Sequence, residues 1–374
     1  MIYLDCAATT PPDPAILQEL TRFYQAGIGN PSSSHPAGRR AMQALREAKK
    51  WLAGQFTLPE EAVIFCSGGT ESINLALKGS LSKPGKLVIS GMEHAAVNEA
   101  AAWLVSRGWT LRILKHHPET GLVDQDDLSS ALEEAPQLVS IQQVNSETGV
   151  IQPVAKLGNL IKQKAPLCLF HVDGVQAFGK IPLEIKNIDL YSISGHKFRA
   201  LPGVGALIRL RDLSLQAQQH GGGQEAGLRS GTENLPGIIS LQLAGEKALA
   251  GLEDKLEQMH KFLDELLLAL RREIPEIKIF HPPAASPYIL NLSVPGVMGE
   301  ILLNALGHRG IMISTGSACN SKKKKLSQAL KALGMGDQQI KESFRLSFHP
   351  DFLPLDVGRS VEEIAACIQE LKGI

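Results

Sequence analysis

The chain has 374 residues, 44% apolar and 20% charged, and its 38 basic and 38 acidic side chains leave a formal net charge of zero. That composition excludes a wholly disordered chain or a coiled coil, and the balanced charge leaves no electrostatic footprint for nucleic acid. No apolar run approaches the length of a bilayer span, and no repeat marks a solenoid or propeller.

The opening residues, Met1-Ile2-Tyr3-Leu4-Asp5, show neither the basic nor the apolar region of a signal peptide. The five cysteines (Cys6, Cys66, Cys168, Cys319 and Cys367) form no Cys-x-x-Cys pair. An odd, unpaired set predicts a reducing compartment, hence a cytoplasmic protein with no disulfide framework and no zinc site. Short apolar runs then alternate with helical patterns, the texture of a mostly parallel α/β sheet. Strands are predicted at 62–66, 86–90, 110–114, 138–144, 167–172, 190–194 and 205–209. Helices are predicted at 38–51, 71–77, 95–107, 125–132 and 154–164. The texture changes after residue 237. A single long amphipathic helix is predicted over 245–274. Strands at 288–294 and 343–348 follow, with helices at 300–307 and 360–372, as in a smaller α+β domain. The boundary is placed near 240–260.

The chemistry sits where predicted strands end, and open α/β sheets bind ligands outside those carboxyl ends. Ser194-Gly195-His196-Lys197 follows one strand. A lysine held there, away from other charges, is a nucleophile for carbonyls, although the tetrapeptide alone is more often a solvated loop. Phe170-His171-Val172-Asp173 ends another strand with an acid, either a helix cap or the partner of a protonated ring nitrogen. In Cys66-Ser67-Gly68-Gly69-Thr70-Glu71 the glycines and a hydroxyl open a helix, which suits phosphate. No Gly-Lys-Ser/Thr ending makes it a P-loop. His94 and the segment Val144-Asn145-Ser146-Glu147 end two more strands. Five such loops imply one crevice for a phosphorylated heteroaromatic aldehyde. Separately, Ser314-Thr315-Gly316-Ser317-Ala318-Cys319-Asn320-Ser321 reads as a loop with an exposed thiol. Lys322 to Lys325 follow it, either a solvated helix start or a docking surface for an acidic partner, and nearby cations favour a thiolate.

Taken in order, these segments resemble the cysteine desulfurase family of pyridoxal phosphate enzymes over nearly the whole chain. The matching motifs include Ala7-Ala8-Thr9-Thr10, Gly29-Asn30-Pro31-Ser32-Ser33, Ser67-Gly68-Gly69-Thr70-Glu71, Glu93-His94, His171-Val172-Asp173, Ser194-Gly195-His196-Lys197, Arg229-Ser230-Gly231-Thr232-Glu233-Asn234 and Gly316-Ser317-Ala318-Cys319. The resemblance implies a fold-type I, aspartate aminotransferase-like enzyme acting as a homodimer. Residues 13–250 would form the large cofactor domain. Residues 1–12 and 251–374 would form the small domain, with a mobile cysteine loop at about 314–326. Lys197 would carry pyridoxal 5′-phosphate covalently, Asp173 would pair with its ring nitrogen, Gln176 would contact its phenolic oxygen and His94 would stack on the ring. Gly69, Thr70, Ser194 and His196 would hold the phosphate, with Thr232 joining from the other subunit. Arg345 would clamp the carboxylate of L-cysteine, with Asn30 and Asn145 also in the substrate site and Ser146 in the cofactor site. Lys197 would move the α-proton, and Cys319 would take the sulfur as a persulfide, leaving alanine, for an iron–sulfur scaffold or another sulfur acceptor. No resident metal is expected; Cys319 is at most a transient iron–sulfur ligand. Neither nucleic acid nor membrane is an expected partner.

The chain departs from the family pattern at several places. Ser146 stands where a second Asn is usual, so water would intervene between it and its ligand. Gly69 replaces an Ala, a change expected to be harmless, and Cys6 replaces a Tyr. Arg199-Ala200-Leu201-Pro202 replaces Tyr-Gly-Pro-Lys, Ala226 replaces an Arg, and His349-Pro350 replaces Gly-Arg. The alternatives are therefore a pyridoxal phosphate-dependent C–S or C–Se lyase and a degenerate, non-enzymatic binding platform. Lys197, Asp173 and Cys319 argue against the platform, and Cys319 argues against simple elimination.

Overall fold

A computed structural model describes residues 1–81, 83–315, 326–353 and 356–373. The central sheet has seven strands in the order Val63–Cys66, Gly205–Arg209, Leu190–Ser194, Leu169–Asp173, Leu138–Gln142, Lys86–Ser90 and Thr110–Leu114. Gly205–Arg209 alone runs against its neighbours, so the sheet is mostly parallel, as expected. Alternate residues of these strands point to opposite faces. Val139, Ile141, Phe170, Val172, Tyr191 and Ile193 pack into one apolar cluster with residues of the helices Pro36–Gln55 and Leu235–Leu249. Leu87, Ile89, Leu138, Leu190 and Leu207 pack into another with the helices Gly69–Gly79 and Ala95–Val105. Burial on both faces gives the strands their near-continuous apolar runs.

A third cluster gathers Leu4, Leu263, Leu290, Leu302, Phe344 and Val361. It surrounds a three-stranded antiparallel sheet of Lys278–Phe280, Ile289–Ser293 and Ser343–Ser347. The N-terminal segment is stitched to this part of the molecule. Ile2–Tyr3 pairs in parallel with Ile311–Met312. Ser347 N donates to Leu4 O at 2.8 Å, and Ala7 N donates to Ser347 Oγ at 2.9 Å.

The single helix predicted over 245–274 is instead two, Leu235–Leu249 and Leu252–Glu273. Ala250 is extended and Gly251 is left-handed, at φ 62°, a conformation that glycine adopts without strain. The amphipathic pattern continues across the break, so periodicity alone does not reveal it. A helix at Pro14–Gln25 also went unpredicted. Its local signal is Asp13, whose carboxylate accepts from Ala15 N at 2.8 Å, followed by proline at the first helical position. Among the described residues, no helix is long and apolar enough to cross a membrane.

Gly174, which follows Asp173, is required for close packing. A Cβ there would lie 2.0 Å from the ring of Tyr191, which is fully buried and donates its hydroxyl to Gln143 Oε1 at 2.6 Å. Gly174→Ala is expected to cost about 3 kcal/mol by overpacking, measured as a lower urea midpoint at unchanged slope. An unchanged midpoint would mean that the turn after Asp173 absorbs the methyl group.

Candidate active site

The strands Lys86–Ser90, Leu138–Gln142, Leu169–Asp173 and Leu190–Ser194 are sheet neighbours running in one direction. Their carboxyl ends open on a cleft of about 370 Å³. It is lined by Gly69, Thr70, His94, Asn145, Ser146, Asp173, Gln176, Ser194, His196, Lys197 and Arg345, so eleven of the predicted site residues meet in one place. Asn30 and Thr232 do not line it. Both are exposed, and the Asn30 carbonyl oxygen Oδ1 accepts from Ser32 N at 2.8 Å. Cys319 and Lys322 to Lys325 lie outside the described residues. Cys6, Cys66, Cys168 and Cys367 are all buried and free.

Lys197 ends a single 3₁₀ turn, Gly195–Lys197, directly after its strand. Its Nζ donates to the carbonyls of Ala7 and Ala8, each at 2.7 Å. Asp173 is buried and accepts from Val175 N at 3.0 Å. Burial pushes its carboxyl above the usual range, opposed by the Val175 N–H and by the nearby Lys197 ammonium. His94 caps the helix Ala95–Val105, with Nδ1 accepting from Ala96 N at 3.1 Å. The neutral ring therefore carries its proton on Nε2. His196 pairs through Nδ1 with Thr9 Oγ1 at 3.1 Å, and burial, then the charges of Lys197 and Lys180, push it down to about 4.

The donor set fits pyridoxal 5′-phosphate. Ser194 Oγ is buried and has no hydrogen-bond partner among the described residues. It faces the start of the helix Gly69–Gly79, whose N-cap, Gly68, supplies no side-chain acceptor. An uncapped helix start beside an orphaned hydroxyl suits a phosphate. Gly69 also makes room: a Cβ there would meet Val175 Cγ2 at 2.8 Å, so the glycine accommodates a branched neighbour. Asp173, a buried carboxylate with no salt bridge among the described residues, suits a protonated ring nitrogen.

Arg345 has its orientation fixed from two sides. Nη1 donates to Ser146 O and Nη2 to Asp5 Oδ1, both at 2.7 Å. Its Nε is buried without a partner among the described residues. Ser146 thus contributes to the site through its backbone. Asn145 holds the loop: its Oδ1 accepts from Glu147 N, Thr148 N and Thr148 Oγ1, while Nδ2 donates to Met92 O at 3.0 Å.

Residue patterns alone gave no role to Asp5, Ala7, Ala8, Glu93, Glu147 or Lys180. Ala7 and Ala8 act through carbonyl oxygens, which side-chain motifs do not display. Glu93 lines the cleft, and its Oε1 accepts from Gln142 N at 2.8 Å. Its Oε2 is buried without a partner among the described residues. Its position between a strand end and the capping His94 was the available signal. Burial, reinforced by the charge of Asp173, pushes its carboxyl up to about 8, although the nearby Ser90 hydroxyl and the Gln142 N–H oppose this.

Glu93 therefore destabilises the fold increasingly as pH rises from the ordinary carboxyl range through about 8, because its ionised form is disfavoured when buried. Glu93→Gln cannot ionise. Its stability relative to wild type is expected to improve steadily between pH 5 and pH 8, read from urea unfolding at several pH values. A difference that stays constant across that window would refute the assignment.

A family model, Aminotransferase class-V, matches residues 2–357. Along its whole length the chain is 36% identical to a cysteine desulfurase IscS from Methanosarcina thermophila, 93% of which is covered. Among solved structures, a NifS-like protein superposes with a TM-score of 0.91 at 31% identity, over 99% of each chain. A structure described as SspA in complex with cysteine gives a TM-score of 0.82 at 28% identity, over 94% of this chain and 99% of that one.

Proposed function

The chain belongs to the class-V aminotransferase family and, within it, to the cysteine desulfurases, and on that premise we propose that it converts L-cysteine to L-alanine with Cys319 as the sulfur acceptor. The observation that carries this reading is the convergence of Lys197, Asp173 and the orphaned Ser194 hydroxyl on a single cleft. Pyridoxal 5′-phosphate bound there supplies an electron sink for bond cleavage on the substrate.

The chain's own residues divide the remaining work. Ser194 Oγ, Thr70, His196 and the first amides of the helix Gly69–Gly79 would hold the phosphate. With the cofactor bound, Asp173 would keep the ring nitrogen protonated, Gln176 would donate to the ring oxygen, and His94 would stack on the ring. Lys197 anchors the cofactor and moves the proton at the substrate's α-carbon. The Ala7 and Ala8 carbonyls orient its amine before the reaction. Arg345, held by Asp5 and Ser146 O, receives the substrate carboxylate through its unpartnered Nε edge. The Cys319 thiolate attacks the substrate sulfur: an S–S bond forms as the C–S bond breaks, and protonation at carbon yields alanine. The persulfide then passes to an iron–sulfur scaffold or another acceptor protein. Thr232, on the surface of its own chain, supports a homodimer in which it completes the phosphate site of the other copy. The unpaired cysteines among the described residues support work in a reducing compartment, the cytoplasm.

The test is product analysis of the purified protein given L-cysteine and a reductant. Alanine is expected, and Cys319→Ala should abolish it while retaining the cofactor's absorbance. Pyruvate formed regardless of Cys319 would instead mean a β-lyase. Lys197→Ala is expected to lower turnover by about a thousandfold or more, and turnover within tenfold of wild type would remove the lysine from the mechanism.

A further inference from the structure

Lys180 is buried in the turn region that follows Asp173, and among the described residues no carboxylate makes an ion pair with it. Taking an ammonium out of water without a counter-charge is costly, so the site must gain something from it. The groups that bear on it electrostatically are Lys197 and Arg345, both cationic, and the Cys6 thiol. Burial and those two cations push its amine down to about 7, and it in turn disfavours charge on His196 and His349. Its Nζ donates to Gln176 Oε1 at 2.8 Å. On the other side, Gln176 Nε2 donates to Ala7 O at 2.8 Å, the same carbonyl that receives Lys197 Nζ.

These two contacts permit only one orientation of the Gln176 amide. Ala7 O has no proton to give, so it must face Nε2, and the Lys180 amine has a proton for Oε1 in either charge state. One N–H of the amide then remains for a group in the cleft, which Gln176 lines and Lys180 does not. Without Lys180 the flipped amide would lose only the Ala7 contact, and its carbonyl would repel any anionic ligand oxygen.

We propose that Lys180 is a positioning residue for the cofactor site, locking the Gln176 amide so that it presents an N–H donor to the phenolic oxygen of bound pyridoxal 5′-phosphate. This rests on the cofactor reading given above. It goes beyond that reading by assigning work to a side chain that never touches the ligand.

The experiment is a double-mutant cycle on apoprotein titrated with pyridoxal 5′-phosphate. Kd and the absorbance maximum of the bound form are read for wild type, Lys180→Met, Gln176→Ala and the double variant. Lys180→Met is expected to weaken binding roughly five- to tenfold, the scale of one hydrogen bond, and to shift the absorbance maximum. In the Gln176→Ala background the same change should cost less than about twofold. Equal losses in both backgrounds would show a merely structural lysine and overturn the proposal, as would a Kd for Lys180→Met equal to wild type. If Lys180→Met does not fold, Lys180→Gln takes its place, since its shorter chain withdraws the donor while leaving a polar group in the core. Wild-type protein that fails to bind the cofactor would overturn the cofactor reading itself, a result distinct from the other two.

Discussion

Two carbonyl oxygens, those of Ala7 and Ala8, hold the amine of Lys197, and much of the cleft's geometry depends on where they are placed. Ala7 O also receives Gln176. The segment that carries them is fixed from the far side, because Ala7 N bonds Ser347 Oγ and Leu4 O accepts from Ser347 N. Ser347 lies two residues beyond Arg345 on one strand, and Asp5 pairs with the Arg345 guanidinium. The first few residues therefore bracket three cleft side chains that come from distant parts of the chain. Groups held this way lose little entropy when a ligand arrives.

The cost of that preorganisation is visible in the polar groups left unsatisfied. Eight buried side-chain atoms lack a partner among the described residues, and four of them, on Glu93, Glu147, Ser194 and Arg345, belong to residues lining the cleft. Buried polar atoms are normally paired. Half of the exceptions in one cavity mark it as built for something polar that binds there. Two of these orphans match a ligand group by their chemistry: the Ser194 hydroxyl beside a helix start suits an anion, and the Arg345 Nε edge suits a carboxylate.

The sheet was legible because most of its strands are buried on both faces, the edge strand Thr110–Leu114 excepted. At 86–90, 110–114, 190–194 and 205–209 the apolar runs end where the strands end. The run at 138–144 overshot, since Val144 stays buried and bridges to Ile151 after pairing within the central sheet ends at Gln142. The break at Gly251 was hidden by an amphipathic pattern that continues across it. Strand-end side chains were legible because a parallel sheet gathers them along one edge. Lys180 was not, since a lone lysine after a turn looks like solvated surface until its neighbours in space are known. Asn30 and Thr232 do not line the cleft of their own chain; for Thr232 only the family resemblance, and no local pattern, pointed to a site on another subunit.

The departures from the family pattern become less damaging once their positions are known. Arg199 and the residues after Ser347 are far apart in sequence, yet Arg199 pairs with Asp351 and lies over the Phe352 ring at 5.0 Å. The His349 ring stands 5.6 Å from the same phenyl group. Two apparent losses are thus one coupled contact behind Lys197, and neither replaces a group that holds its amine. Ser146 meets Arg345 through its carbonyl oxygen, which any residue supplies, so a shorter side chain leaves that anchor intact. Gly69 in place of alanine is matched by Val175, whose methyl occupies the space a Cβ would need. Nothing in the structure explains Cys6 or Ala226. At position 146 what is lost is the contact a longer side chain would have made inside the cleft. Its loss bears on how tightly a ligand is held, while the lysine, the acid and the arginine that define the site keep their places.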